Sequence, residues 1–347
     1  MFNFLKKLIK NLLITINIPI NFSDKIALPI VENKKSKLSD KYFSIYSFGN
    51  FNKRKIFYVI RRSPGAGLFS NVIYVLNHIN IALKHNFTPV VDMENFKSIY
   101  NEDRKINNTF NAWEYYFKQI SPYKLKNIYR SKRVIITENK FYKSFSHKIS
   151  KKNSDLFKIC KKKILINKDI YREAGDFVKK NFSGKVLGIH YRGTSYKISA
   201  NHPFPPTKSQ MLKYCNKILK NDQYEKIFLC TEDKTMFDFL QKNLGNKICF
   251  FKKSYRSIYD DAFKIYPRAN HRYKLGKEIL IETLVLSKCD GLICQESNVS
   301  EFLKFMNHKN KLKFYYFNNG YNSSNEYIAM WLWYYKNLAP KFLGGFE

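Results

Sequence analysis

The sequence predicts an α/β fold made of two units, each built on a mainly parallel sheet, and three observations carry that expectation. From residue 55 onward, short apolar or β-branched runs alternate with longer segments of helical periodicity, the pattern of strands joined by crossover helices. A long helical stretch over 155–182 interrupts the alternation and separates a first series from a second. At 347 residues the chain exceeds the size usually served by one hydrophobic core, and two such units in one chain imply a cleft between them.

The elements follow in order. In "MFNFLKKLIKNLLITINIPINF", Phe2, Leu5, Leu8, Ile9, Leu12 and Leu13 fall near one helical face, with Lys6, Lys7 and Lys10 beside them. Pro19 ends the run and no small-residue cleavage site follows, so residues 1–20 read as an amphipathic segment rather than a signal peptide. Such a helix fits either an anionic membrane surface or the protein's own surface. "KIFYVI" (55–60) reads as a strand, "RRSPGAG" as a loop, "LFSNVIYVLNHINIALKHN" as a helix and "TPVVDM" as a strand. "RVIITE" (133–138) completes a first, small α/β unit over 50–150. The helical connection spans 151–184, with "GDF" as its expected break.

The second series, 185–322, opens on the strand in "KVLGIHYRGTSYK" and continues through the helix "TKSQMLKYCNKILKN" and the strand "KIFLC". A helix from Thr235, the strand "KICFF", the helix "KLGKEILIETLVLSK" and the strand "GLIC" follow. "QESNVSEFLKFMN" then reads as a helix and "KLKFYYF" as the last strand, while 323–347 is expected to be a C-terminal helix returning to the first unit.

Charge and cysteine content narrow the function classes. With 62 basic and 27 acidic residues the net charge is +35, which favours anionic partners: nucleic acid, an anionic membrane surface or a phosphorylated substrate. The lysines are spread through every segment, and no helix-turn-helix, zinc finger or RNP-like motif is present, so a basic nucleic-acid-binding protein is the alternative class and no nucleic acid is expected. Cys160, Cys215, Cys230, Cys249, Cys289 and Cys294 form no CxxC pair and no zinc-ligand spacing, and read as reduced core residues of a cytoplasmic protein. No metal and no cofactor are expected.

Polar residues gather at four strand ends, where open α/β sheets bind ligands. In "RRSPGAGLFSN", Gly65 and Gly67 bracket a turn that opens a helix; without a third glycine or a GK[ST] it matches neither nucleotide fingerprint. In "GIHYRGT", alternation puts His190 and Arg192 on one face, followed by Thr194, and an Arg fork at a strand end matches a diphosphate. In "CTED", Thr231, Glu232 and Asp233 could accept hydrogen bonds from a ribose or base edge, or cap the next helix. In "QESNVSEF", Glu296 leads into Ser297, Asn298 and Ser300 at a helix N-terminus, where free N–H groups and hydroxyls suit a phosphate and ordinary capping is the other reading.

The order "GAGLFSN", "GIHYRGTSYK", "CTED", "LGKEILIETLVLSKCDGLICQESNVSEF" resembles the fucosyltransferase superfamily, which includes nodulation fucosyltransferases, core α1,6-fucosyltransferases and bacterial surface-polysaccharide relatives, over roughly residues 55–320. The resemblance implies a GT-B fold, two Rossmann-like domains facing a central cleft, and metal-independent inverting transfer from a GDP-sugar held mainly by the C-terminal domain. It places Arg192 on the diphosphate, Glu232 and Asp233 toward the guanosine, and Ser297, Asn298 and Ser300 at the phosphates. Fucose is the first expectation for the sugar, with a GDP-heptose or another GDP-deoxysugar as the alternative. The acceptor is expected to be a surface glycan such as capsule or lipopolysaccharide, met at the inner face of the cytoplasmic membrane. Relatives carry an Asp where Ser195 stands, and Ala200 lies near the place of the core enzymes' catalytic Glu.

With that Glu missing, His202 in "ANHPFPP" is a candidate base, because its loop follows the diphosphate strand. Asp92, at the end of "PVVDM", is a second catalytic candidate, and Glu94, Trp113 and Glu114 are candidates on the acceptor side.

Overall fold

The computed structural model describes residues 45–62, 66–137, 154–307 and 311–347. The expected amphipathic segment 1–20 and the candidate Gly65 lie outside the described residues. The described residues divide into two compact units, one drawn from Met1–His147 and Asp155–Leu165, the other from Lys148–Ser154 and Ile166–Glu347.

In the first unit a four-stranded sheet has the order β1-β4-β2-β3, with β1 Ile45–Tyr46, β2 Phe57–Ile60, β3 Thr88–Val91 and β4 Val134–Ile136. β2 pairs in parallel with both β3 and β4. β1 was not legible as a strand: it is two residues long and antiparallel to β4. Helix α1, Leu68–Lys84, crosses from β2 to β3 and buries Val72, Ile73, Val75, Leu76 and Ile79 along its length. Between β3 and β4 the chain is mostly turns, held by side chains such as Asn111, which donates to Val91 O and accepts from Met93 N at 2.8 and 3.0 Å. A single helical turn, α2 (Leu125–Ile128), precedes β4.

The helical stretch is two helices. α3, Ser154–Lys163, belongs to the first unit, and α4, Lys168–Asn181, to the second. The break falls at residues 164–167 and not at "GDF", where Gly175 continues the helix with nothing within 4 Å of the place its Cβ would occupy. Ile164 and Leu165 are apolar, but the backbone there turns to let Leu165 O accept from Lys118 N at 2.7 Å.

The second unit carries a five-stranded sheet of order β7-β6-β5-β8-β9, parallel throughout. Its strands are β5 Val186–Tyr191, β6 Lys226–Thr231, β7 Ile248–Cys249, β8 Gly291–Cys294 and β9 Lys313–Tyr316. The crossovers are α5 Lys208–Asp222, α6 Lys234–Leu244, α7 His271–Leu286 and α8 Asn298–Met306. β5 is central and fully buried, so its residues are apolar on both faces until His190, as a doubly covered parallel strand requires. All six cysteines are free, and all but Cys249 are buried.

The C-terminal helix α9, Glu326–Leu338, is part of the second unit. Trp333 Nε1 donates to Pro205 O at 2.9 Å, and the neighbouring segments 201–204 and 320–323 pair through Asn201 N to Ser323 O, Phe204 N to Gly320 O and Asn322 N to His202 O. No helix among the described residues is long and apolar enough to cross a membrane.

Candidate functional site

The C-terminal ends of β5, β6 and β8 bring the main polar candidates together. β5 stops at Tyr191, and Arg192 N donates to Gln295 Oε1 at 3.0 Å while Gln295 Nε2 donates back to Arg192 O at 3.1 Å. This reciprocal pair ties the β5 end to the β8 end two residues before Ser297, the N-cap of α8. On the other side, Glu232 Oε1 accepts from Gly193 N at 3.0 Å and from Thr194 Oγ1 at 3.4 Å, and lies 3.7 Å from Arg192 Nε. Arg192 Nη2 donates to Ser195 Oγ at 3.1 Å, and its guanidinium sits over the Tyr196 ring, 5.3 Å from the centroid. The Arg192 side chain is thus oriented by Glu232, Ser195 and Tyr196 while about a third of it stays exposed.

Gly193 makes this arrangement possible. A Cβ there would sit 2.2 Å from Asp233 Oδ2 and 2.4 Å from Tyr191 Cε1, so no larger residue fits between the β5 and β6 loops. The loops are also joined by Lys197, whose Nζ lies 2.7 Å from Asp233 Oδ2.

His190 is buried on β5, with Cys230 and Cys294 as its neighbours in register. Its Nδ1 meets no hydrogen-bond partner among the described residues. Burial and the Arg192 charge push its pKa down to about 3, so it is a neutral imidazole at ordinary pH. Beyond Arg192, the Tyr196 ring packs against His202 at 4.8 Å between centroids. His202 Nδ1 pairs with Ala200 O at 2.8 Å, which holds the ring beside the Arg192 loop. Glu296, on the loop after β8, accepts a hydrogen bond from Tyr321 OH and borders a cavity of about 340 Å³ also lined by Tyr316 and Tyr321.

Several candidates prove to be spent on the fold. Asp233 is the N-cap of α6, with Oδ1 accepting from Met236 N and Thr235 Oγ1 at 3.0 and 2.8 Å and Oδ2 held by Lys197, so its fully buried carboxylate is engaged in capping and in the lysine pair rather than presented to a guanosine. Thr231 Oγ1 accepts from Asp233 N at 3.1 Å inside the same turn. Ser300 is fully buried in a capping box, donating to Gln295 O at 2.8 Å while Ser297 Oγ accepts from Ser300 N at 3.1 Å. Ser297 is therefore a cap first. Asn298, at the first helical position, remains partly exposed beside these groups.

In the first unit the corrections are similar. Asp92 is buried and accepts from Glu94 N, Asn95 N, Asn95 Nδ2 and Tyr129 OH at 3.0, 2.9, 2.8 and 2.5 Å, so its four contacts fix a turn and leave no lone pair for catalysis. Burial raises its pKa. Trp113 is core, stacked on Phe117 at 4.4 Å with Nε1 donating to Lys118 O, and is no platform for a sugar. Glu114 accepts from Thr109 Oγ1 and Gln119 Nε2 at 2.8 and 3.2 Å and braces its own loop. Glu94 is exposed. Gly67 is the N-cap of α1, and the first N–H of that helix, on Leu68, is already met by Tyr100 OH at 2.8 Å.

Two residues went unnoticed in the sequence. Asn71, in the first turn of α1, is buried with Oδ1 meeting no partner among the described residues; a polar side chain inside the apolar run "LFSNVIYVL" was the available signal. Glu282 is buried in α7, accepting from Ser254 Oγ at 2.7 Å and Cys230 Sγ at 3.3 Å, and burial raises its pKa to about 7. A carboxylate in the apolar run "EILIETLVL" marked it. The unfolded chain loses this proton near the ordinary value of 4.5, so the fold binds a proton that the unfolded state has released, and stability attributable to Glu282 is lost as pH rises through about 7. Glu282→Gln is therefore expected to gain on the wild type by up to about 1.4 kcal/mol per pH unit across that window, measured by urea unfolding at several pH values. A difference independent of pH would show that Glu282 ionises as freely in the fold as in the unfolded chain.

Among the described residues no group of three or more His, Cys, Asp or Glu is placed to hold a metal ion.

The site is thus a cluster of polar groups at the strand ends of a parallel α/β unit: an oriented arginine, a capped helix N-terminus and a buried histidine. No protein-family model and no curated protein matches the chain. Among solved structures it is similar to the fucosyltransferase NodZ from Bradyrhizobium, at 15% identity and TM-score 0.44 over 73% of this chain and 92% of that one. It is similar also to NodZ α-1,6-fucosyltransferase co-crystallized with GDP, at 16% identity and TM-score 0.47 over 73% and 92%. A third similar structure is POFUT1 in complex with GDP-fucose, at 11% identity and TM-score 0.45 over 77% and 99%.

Proposed function

We propose that the protein is a metal-independent inverting glycosyltransferase of GT-B type that moves a sugar, fucose first, from a GDP-sugar to a surface glycan such as capsule or lipopolysaccharide at the inner face of the cytoplasmic membrane. The observation that carries this reading is Arg192, oriented at the end of the central strand and tied through Gln295 to the N-terminus of α8. A leaving diphosphate needs positive charge and N–H donors aimed at its oxygens, and these two elements supply both without a cation.

In the proposed reaction an acceptor oxygen attacks the anomeric carbon as the bond from that carbon to the β-phosphate oxygen breaks, and GDP departs with the electron pair. Arg192 stabilises the charge that develops on the phosphate, and the first N–H groups of α8 share it. Neutral His190 keeps a polar ring at the strand end without adding a second positive charge. His202, packed on Tyr196 beside Arg192, is the proposed base that takes the acceptor proton. Glu232 orients Arg192 and does not itself contact the base in this scheme.

The test is donor hydrolysis and GDP binding with the full chain. GDP is expected to raise the melting temperature, GDP-fucose to be hydrolysed slowly without acceptor, and both to survive EDTA. Loss of hydrolysis in EDTA and its return with Mn²⁺ or Mg²⁺ would overturn metal independence. Stabilisation by single-stranded DNA but not by GDP would favour the nucleic-acid-binding alternative, and hydrolysis of a GDP-heptose in preference to GDP-fucose would replace the sugar.

A further inference from the structure

We infer that the outward face of α9 is a membrane-docking surface that lays Trp331, Tyr334 and Leu338 into the interfacial layer of an anionic bilayer. This deepens the membrane part of the proposed function by giving it a place in the fold. α9 is apolar on both sides. Its inner face packs through Ala329 and Trp333, both buried. Its outer face carries Tyr327 (64% exposed), Trp331 (71%), Tyr334 and Leu338 (84%), at steps of four, three and four residues that form one stripe. The turn that follows extends the patch with exposed Phe342 and Leu343. A surface helix ordinarily presents charge to water, so a continuous aromatic stripe is built to meet something else.

Residue types and charge identify the occupant. Trp and Tyr combine an apolar body with a polar tip and concentrate where hydrocarbon meets headgroups. Along α9 and the turn after it, up to Phe346, the chain has two lysines, Lys336 and Lys341, and one carboxylate, Glu326, at the start of the helix. Glu347 is turned back onto Thr207 Oγ1 and Ser209 Oγ at 2.8 and 2.9 Å. The whole chain carries +35, which attracts an anionic surface and repels a second copy of itself.

The experiment uses the full chain and a Trp331→Ser/Leu338→Ser variant, both changes being outward. Vesicles contain phosphatidylcholine alone or with roughly one third phosphatidylglycerol. Of the three tryptophans, Trp113 and Trp333 are buried, so the emission of Trp331 reports the face. Wild-type protein is expected to sediment with anionic vesicles and to shift its emission to shorter wavelength. In the variant, partitioning is expected to fall about tenfold or more while the GDP-induced thermal shift is unchanged. Sedimentation without an emission shift, or equal partitioning of the variant, overturns the proposal, because charge or another segment then makes the contact. Trp331 emission already at short wavelength without lipid overturns it in favour of a face covered by the protein itself. A dimer that the variant abolishes overturns it in favour of a second copy. Absence of a GDP shift in both proteins counts against the transferase reading alone.

Discussion

Arg192→Ala is expected to remain folded and to lose donor binding and turnover together. The side chain is held by Ser195 Oγ, Glu232 and the Tyr196 ring beyond the end of β5, where a third of it is exposed, so the strands themselves are expected to survive its removal. Losing a charge-assisted contact to a phosphate costs about 1.5–3 kcal/mol of binding, roughly ten- to a hundredfold in Kd. The developing charge of the transition state depends on the same group, so turnover is expected to fall by about a hundredfold or more beyond that. Arg192→Lys should recover little, since an ammonium cannot reproduce a planar fork held at three points. Calorimetric titration with GDP and hydrolysis of GDP-fucose check both claims. Turnover close to wild type in either variant would remove Arg192 from the diphosphate.

Lys197→Met is expected to cost stability rather than chemistry in the first instance. Lys197 (13% exposed) and Asp233 (0%) form an ion pair at 2.7 Å. Removing the lysine leaves a carboxylate buried with one oxygen uncompensated, a loss of about 3 kcal/mol. The double variant Lys197→Met/Asp233→Asn should recover much of that loss, because an amide removes the charge and still caps α6. Urea unfolding of the two variants and the wild type gives the comparison. A loss below about 0.5 kcal/mol in the single variant would mean that the pair is effectively solvated. Because the pair joins the β5 and β6 loops around Gly193, GDP affinity of the single variant is expected to drop as well, and to return in the double variant.

Much of the second unit was legible before any coordinates. "VLGIHY", "KIFLCT" and "GLIC" are runs whose neighbours in sequence settle their structure: continuous apolar and β-branched residues, then polar residues at the end where a parallel sheet opens. The convergence of Arg192, Glu232 and Ser297 follows from that alternation, because strands placed side by side in one direction bring their C-terminal ends together. β1 was not legible, since two residues carry no period, nor was the break at residues 164–167, where a backbone contact from Lys118 decides the turn.

By itself the sequence determined the class of fold, the order of its strands and helices along the chain, and the strand ends where polar groups would collect. These depend on local periodicity and on turn chemistry, which neighbouring residues encode. Only the tertiary structure decided which of those polar groups are already satisfied. Asp92 takes its last hydrogen bond from Tyr129, 37 residues away, and Asp233 Oδ2 is held by Lys197, 36 residues away, while the Arg192 backbone is anchored by Gln295, 103 residues away. It likewise decided that α9 packs one apolar face and exposes the other. Hydrogen-bond satisfaction and burial are properties of groups brought together by folding, and for these long-range pairs no short window of sequence contains both partners.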